Sequence, residues 1–156
     1  MNFRTLQKDL NSVSSKNIVF IGLGNSICGD DGAGLKFIEY LQKQGAFQES
    51  CFIEANTTPE NYLGKILKRN PEMVIFIDTA RMGTSPGTIQ IIESQFIDSK
   101  GFSTHTYSMK LIEDFLSANG VLDIKYIGIE PKTTEITEHL SSEVSEGIDR
   151  FFNRCV

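Results

Sequence analysis

The chain has no excess of basic residues: 15 Lys and Arg stand against 20 Asp and Glu, a net charge of −5 over 156 residues. That balance disfavours general nucleic-acid binding, which depends on neutralising phosphates with cations. No uninterrupted apolar run approaches the roughly 20 residues needed to cross a bilayer. Met1 to Lys16 lacks the apolar middle of a signal peptide, so export is not expected. A cytoplasmic protein with no membrane and no nucleic-acid partner is the reading. Cysteine is scarce and odd in number, and Cys28, Cys51 and Cys155 show no metal-ligand spacing, so they read as reduced thiols. No serine sits in a nucleophile-elbow context, and no internal repeat divides the chain.

A hydrophobic content of 40% and a charged content of 22% are those of one soluble globular domain. At this length, about two thirds of the unfolded surface can be buried. Residues 1–16 form an N-terminal arm, in which Phe3, Leu6, Leu10 and Val13 recur at helical spacing, and residues 17–156 form an α/β core.

The core is organised around Ile18 to Gly34, I-V-F-I-G-L-G-N-S-I-C-G-D-D-G-A-G. The apolar run Ile18 to Ile21 predicts a buried strand. Gly22 and Gly24 permit a sharp turn, and Asp30 and Asp31 stand just before a helical run from Ala33 to Gln44. Acidic side chains there can cap the first turn. One carboxylate suffices for capping, which leaves the other for something else.

Further strands are predicted at Cys51 to Ala55, Met73 to Ile77, Gly87 to Glu93 and Ile124 to Ile129. A helix opening at Pro59, with Thr57 or Thr58 as cap, carries Leu63, Ile66 and Leu67. A second helix, capped by Thr104 or Thr106, buries Leu111, Ile112, Phe115 and Leu116, and a closing helix carries Leu140, Val144, Ile148, Phe151 and Phe152. About eight residues separate Asp78 from Gly87, too few for a parallel crossover, so the fourth strand should run antiparallel to the third. The prediction is a three-layer α/β/α domain: a five-stranded, mostly parallel twisted sheet with one antiparallel strand and helices on both faces.

Ligands of such sheets collect at the carboxyl ends of the parallel strands. Asp31 follows the first strand, Asp78 ends the third, and His105 precedes a helix over the same edge. Two carboxylates and an imidazole suit a divalent transition metal, although acidic caps and loop histidines are common without one. His139, at the start of the last helix, reads as a partly exposed terminal residue, and Cys28 as an inert small hydrophobe rather than a nucleophile.

Three separated motifs, in matching order and spacing, carry a resemblance. G-L-G-N-S-I-C-G-D-D-G-A-G from Gly22, I-D-T-A-R-M-G from Ile77 and S-T-H-T-Y-S-M-K-L-I-E-D-F-L from Ser103 resemble the [NiFe]-hydrogenase maturation endopeptidases. T-P-E-N after the second strand and Y-I-G-I-E-P from Tyr126 also fit. The wording around His105 and Glu130-Pro131 is most similar to the branch that processes the formate-linked hydrogenase 3.

The resemblance covers nearly everything from Ile18 onward and implies a cytoplasmic peptidase, acting as a monomer. Its substrate would be a hydrogenase large-subunit precursor, shortened at its C-terminus once nickel is inserted and so activated. The family's nickel-recognising positions carry over to Asp31, Asp78 and His105, which the resemblance makes both the metal and the catalytic residues. The first is often Glu in relatives, and Asp at 31 is one methylene shorter. Asp30 matches the family's other acid, read here as a turn and helix cap. Nickel, or a divalent substitute, would arrive with the substrate. An aspartate acting as general base, with nickel only as a checkpoint, is the alternative mechanism.

A peptidyl-tRNA hydrolase shares G-L-G-N, but this chain continues S-I-C-G-D-D. A dinucleotide-binding module is weaker, because Ile27 occupies the third glycine position. A non-catalytic nickel-binding maturation factor would use the same three side chains.

Overall fold

A computed structural model describes residues 1–98 and 108–153. His105 and Cys155, with the expected caps Thr104 and Thr106, lie outside the described residues. Five strands, β1 (Ile18–Leu23), β2 (Cys51–Asn56), β3 (Met73–Thr79), β4 (Ile89–Ile92) and β5 (Asp123–Ile129), form one sheet in the order β2-β1-β3-β5-β4. β1 pairs in parallel with β2 and β3, and β3 pairs in parallel with β5. β4 lies antiparallel to β5 at the sheet edge, which also makes it antiparallel to β3, as its short connection requires. The described helices are α1 (Phe3–Leu10), α2 (Ala33–Gln42), α3 (Leu63–Lys68), α4 (Met109–Ala118) and α5 (Ser142–Phe151).

Side chains alternate along a strand, so a continuously apolar strand feeds two cores at once. Ile18 and Phe20 pack with α1, α2 and α5 on one face, whereas Val19 and Ile21 pack with α3 and α4 on the other. Aromatic rings close the first core: Phe37 lies 4.9 Å from Phe151 and 5.0 Å from Phe152 between ring centroids. The N-terminal arm is part of this core. Leu6 and Leu10 are buried in it, and Phe3 meets Phe152 at 5.6 Å. Asn2 starts α1 with a reciprocal capping box to Thr5.

Three local expectations are corrected. The segment after β2 begins as a 3-10 turn, Pro59–Tyr62, and Thr58 donates its hydroxyl back to the Ala55 carbonyl instead of capping. α4 is capped by Ser108, whose Oγ accepts from the Leu111 N–H at 3.2 Å. Its buried residues are Met109, Ile112 and Leu116, while Leu111 and Phe115 are 53% and 45% exposed. Starting the helix at Met109 gives it a buried stripe of i, i+3, i+7 spacing, and Leu111 and Phe115 fall off that stripe.

A buried strut ties α4 to the sheet. The Tyr126 hydroxyl on β5 donates to Glu113 at 2.7 Å, and Ser94 Oγ donates to the same carboxylate at 2.6 Å. Burial pushes the Tyr126 phenol far above its ordinary range, and the neighbouring Glu113 reinforces the effect. Burial also pushes Glu113 upward, but hydrogen bonds from Ser94, Tyr126 and Lys110 outweigh it and hold the carboxyl below its usual value.

Candidate functional site at the carboxyl edge of the sheet

The connections after β1 and β3 diverge to opposite edges of the sheet, because the chain runs from β1 to β2 at one edge and from β3 to β4 at the other. A crevice forms at such a reversal of strand order. Asp78, within β3, is completely buried there, and the half-buried Asp31 sits across from it on the turn entering α2. Thr79 joins them: its hydroxyl lies 3.2 Å from Asp31 Oδ1 and 3.4 Å from Asp78 Oδ1. The Thr79 backbone N–H donates to Asp78 Oδ1 at 2.7 Å. A hydroxyl has one proton, so Thr79 can donate to only one of the two carboxylates at a time. Thr79 was not singled out from the sequence. Its position directly after Asp78, inside I-D-T-A-R-M-G, was the available signal.

Glycine permits this approach. Gly24 has a φ of +133°, and a Cβ there would strike the Asp31 carbonyl oxygen. A Cβ on Gly34 would lie 2.5 Å from the carbonyl oxygens of both Ile77 and Leu23. α2 therefore reaches the ends of β1 and β3 only because residue 34 has no side chain. Asn25 completes the turn, its N–H donating to the Asp31 carbonyl at 3.1 Å and to Asp31 Oδ2 at 3.2 Å.

The two adjacent aspartates do different things, and neither caps α2, whose N-cap residue is Gly32 with no side-chain cap. Asp30 is fully buried and holds the 132–141 loop. Its Oδ2 accepts from Lys132 N–H at 2.8 Å, Thr133 N–H at 3.0 Å and Ser141 Oγ at 2.8 Å, and its Oδ1 accepts from Ser141 N–H at 2.7 Å. The expected role of Asp30 as helix cap is thus replaced by that of a loop anchor. Backbone bonds from Gly29 to Thr137 and from Asp30 to Thr133 close the same seam, beside the bridge between Cys28 and Thr137.

Glu130, just past β5, plays a similar part on the other side. It accepts from Met82 N–H at 2.6 Å and from the Thr84 hydroxyl at 3.1 Å, fixing the loop that follows β3.

Of the three predicted site residues, Asp31 and Asp78 meet at one hydroxyl, and His105 lies outside the described residues. Among the described residues no three His, Cys, Asp or Glu side chains group as metal ligands. His139 is exposed, and Cys28 is half-buried.

The fold thus brings two aspartates together at the strand-order reversal of an open α/β sheet, where ligands of this architecture bind. The sequence profile of the HycI hydrogenase maturation proteases matches residues 35–156. The chain belongs to this family, and it is a peptidase. The hydrogenase 3 maturation protease of Escherichia coli K12 is 26% identical over 139 residues, spanning 87% of this chain and 86% of its own. The crystal structure of the [NiFe]-hydrogenase maturation protease HycI from Thermococcus kodakarensis superposes with a TM-score of 0.79 at 26% identity, covering 94% of this chain and 92% of that one. HybD from the same organism superposes at 0.66 with 25% identity, over 86% of this chain and 93% of its own. Among the described residues no helix is long and apolar enough to cross a membrane.

Proposed function

We propose that this peptidase removes a C-terminal extension from a nickel-loaded [NiFe]-hydrogenase large-subunit precursor, and that Asp31, Asp78 and His105 recognise the nickel. Family membership supports the reaction class. The observation that carries the site is the meeting of Asp31 and Asp78 on the Thr79 hydroxyl at the switch point. Two carboxylates this close, one fully buried, favour a divalent cation between them. Adding the His105 imidazole gives three ligands, which leaves positions open for the precursor's own ligands.

Amide hydrolysis needs a group that takes a proton from water and a charge that stabilises the tetrahedral oxyanion. The substrate-borne ion supplies the second and can acidify water, in favourable cases from about 15.7 to about 7. The carboxylates hold that ion, and an oxygen not bound to it accepts the water's proton. The protein works as a monomer in the cytoplasm, and a divalent ion of similar size can stand in for nickel.

Incubation with nickel-loaded precursor should yield a large subunit shortened at its C-terminus, read by intact-mass spectrometry. An unchanged mass, with nickel bound to the protein, would instead identify a non-catalytic nickel-binding factor.

A further inference from the structure

The extended backbone of β3 runs on past Thr79. Ala80 continues the ladder, its N–H donating to the Ile129 carbonyl at 2.9 Å. Ala80 and Met82 both pack on the α3 and α4 side of the sheet. There a Cβ on Gly128 would lie 2.9 Å from Ala80 Cβ and 3.0 Å from Met82 Sδ. Side chains alternate along an extended chain, so Arg81, between them, lies on the opposite side, with Thr79. That is the side on which the Thr79 hydroxyl meets Asp31.

Arg81 therefore stands at the rim of the site, two residues of extended chain, or about 7 Å, beyond Thr79. The backbone on both sides of it is pinned, Ala80 by Ile129 and Met82 by the buried Glu130 carboxylate at 2.6 Å. The side chain itself is exposed and forms no ion pair or hydrogen bond with any described residue. Neighbouring cations differ: Lys36 on α2 pairs with Glu39 at 3.1 Å, and Lys132, beside Asp30, pairs with Glu143 at 2.6 Å. A guanidinium on a fixed backbone presents a planar fork of donors that fits a carboxylate.

We propose that Arg81 is a specificity residue that pairs with an Asp or Glu side chain of the precursor, within about three residues of the scissile bond. The window follows from spacing: an extended substrate advances about 3.3 Å per residue, so two or three residues separate the reacting peptide bond from the guanidinium. The sign follows from charge. A dication between Asp31 and Asp78 cancels those two carboxylates, and Glu130 is committed to Met82 and Thr84. The Arg81 charge is then left for the substrate to match. An acidic side chain does so with two parallel hydrogen bonds, and a basic one would be repelled. This role for Arg81 rests on the precursor being the substrate.

The test measures binding of nickel-loaded precursor to the full chain by biolayer interferometry, and its cleavage by intact-mass kinetics. It includes precursor variants in which the Asp and Glu residues of that window become Asn and Gln. Arg81→Gln should weaken binding and raise KM about tenfold while kcat stays within about twofold of wild type. Neutralising the precursor's acids should weaken its binding to wild type equally and cost Arg81→Gln nothing further. Arg81→Glu should prefer a precursor carrying Lys at those positions. Residue 81 is exposed, and unaltered thermal midpoints would confirm folding. Unchanged binding by Arg81→Gln overturns the proposal, as does an equal loss from the precursor substitutions in wild type and Arg81→Gln. So does a fall in kcat at unchanged KM, which would put Arg81 in the chemical step, and so does a precursor with no acid in the window. Binding does not require cleavage. A precursor that binds through Arg81 but is not shortened counts against the processing reaction alone, and one that wild type does not bind overturns both.

Discussion

Asp31→Asn and Asp78→Asn should each slow precursor processing by about 10³-fold or more, a loss of about 4 kcal/mol in transition-state stabilisation. The substitution removes a negative charge and half of the carboxylate's acceptors while keeping its size. Folding should be nearly untouched. An asparagine oxygen can still accept from Asn25 N–H at position 31, or from Thr79 N–H at position 78. No core volume changes, so no cavity term arises. Kinetics at fixed precursor concentration, with a thermal melt of each variant, would check both halves. Processing within tenfold of wild type in either variant would remove that aspartate from the site.

Asp30→Ala should do the reverse to the protein: its main effect is on stability. Four donors from Lys132, Thr133 and Ser141 converge on this one buried carboxylate, and alanine would strand all of them. Each buried donor left unmatched costs about 1–3 kcal/mol, so a total loss of several kcal/mol is expected. For a domain of this size each kcal/mol lowers the thermal midpoint by about 2–4 °C, so a drop on the order of 10 °C is expected. Asp30→Asn should cost less. Its oxygen can face the three donors now on Oδ2, leaving only Ser141 N–H opposed by the amide NH₂. Equal melting temperatures for wild type and Asp30→Ala would contradict the anchoring role.

The contrast between residues 30 and 31 marks where sequence reading reached its limit. Two successive acids before a helix are visible, and so is the surplus over what capping needs. The partners of Asp30 are not, because they lie 102 to 111 residues away along the chain. Only the fold brings the 132–141 loop onto it. Strands were legible because each is an apolar run bounded by turn residues, and β4's direction followed from a connection too short to cross over. The outer face of α4 was misjudged for a physical reason. Periodicity counts apolar residues, but a helix on one side of a sheet has room to bury only one stripe, and Leu111 and Phe115 lie beyond it. α1 was legible as a helix but not as core, since Leu6 and Leu10 find their partners on β1, α2 and α5. Thr79 was hidden by being an ordinary strand residue whose importance comes entirely from its two neighbours.

In the proposed function, nickel belongs to the substrate and is read by Asp31, Asp78 and His105. The most direct measurement pairs the metal content of the purified protein with its action on nickel-free and nickel-loaded precursor. A resident catalytic ion would survive purification, held by ligands that neighbouring hydrogen bonds lock in place. A substrate-borne ion would not. The expected result is little bound metal in the isolated protein and cleavage of the nickel-loaded precursor only. Stoichiometric metal in the isolated protein, together with cleavage of nickel-free precursor, would contradict the claim and describe an ordinary metallopeptidase.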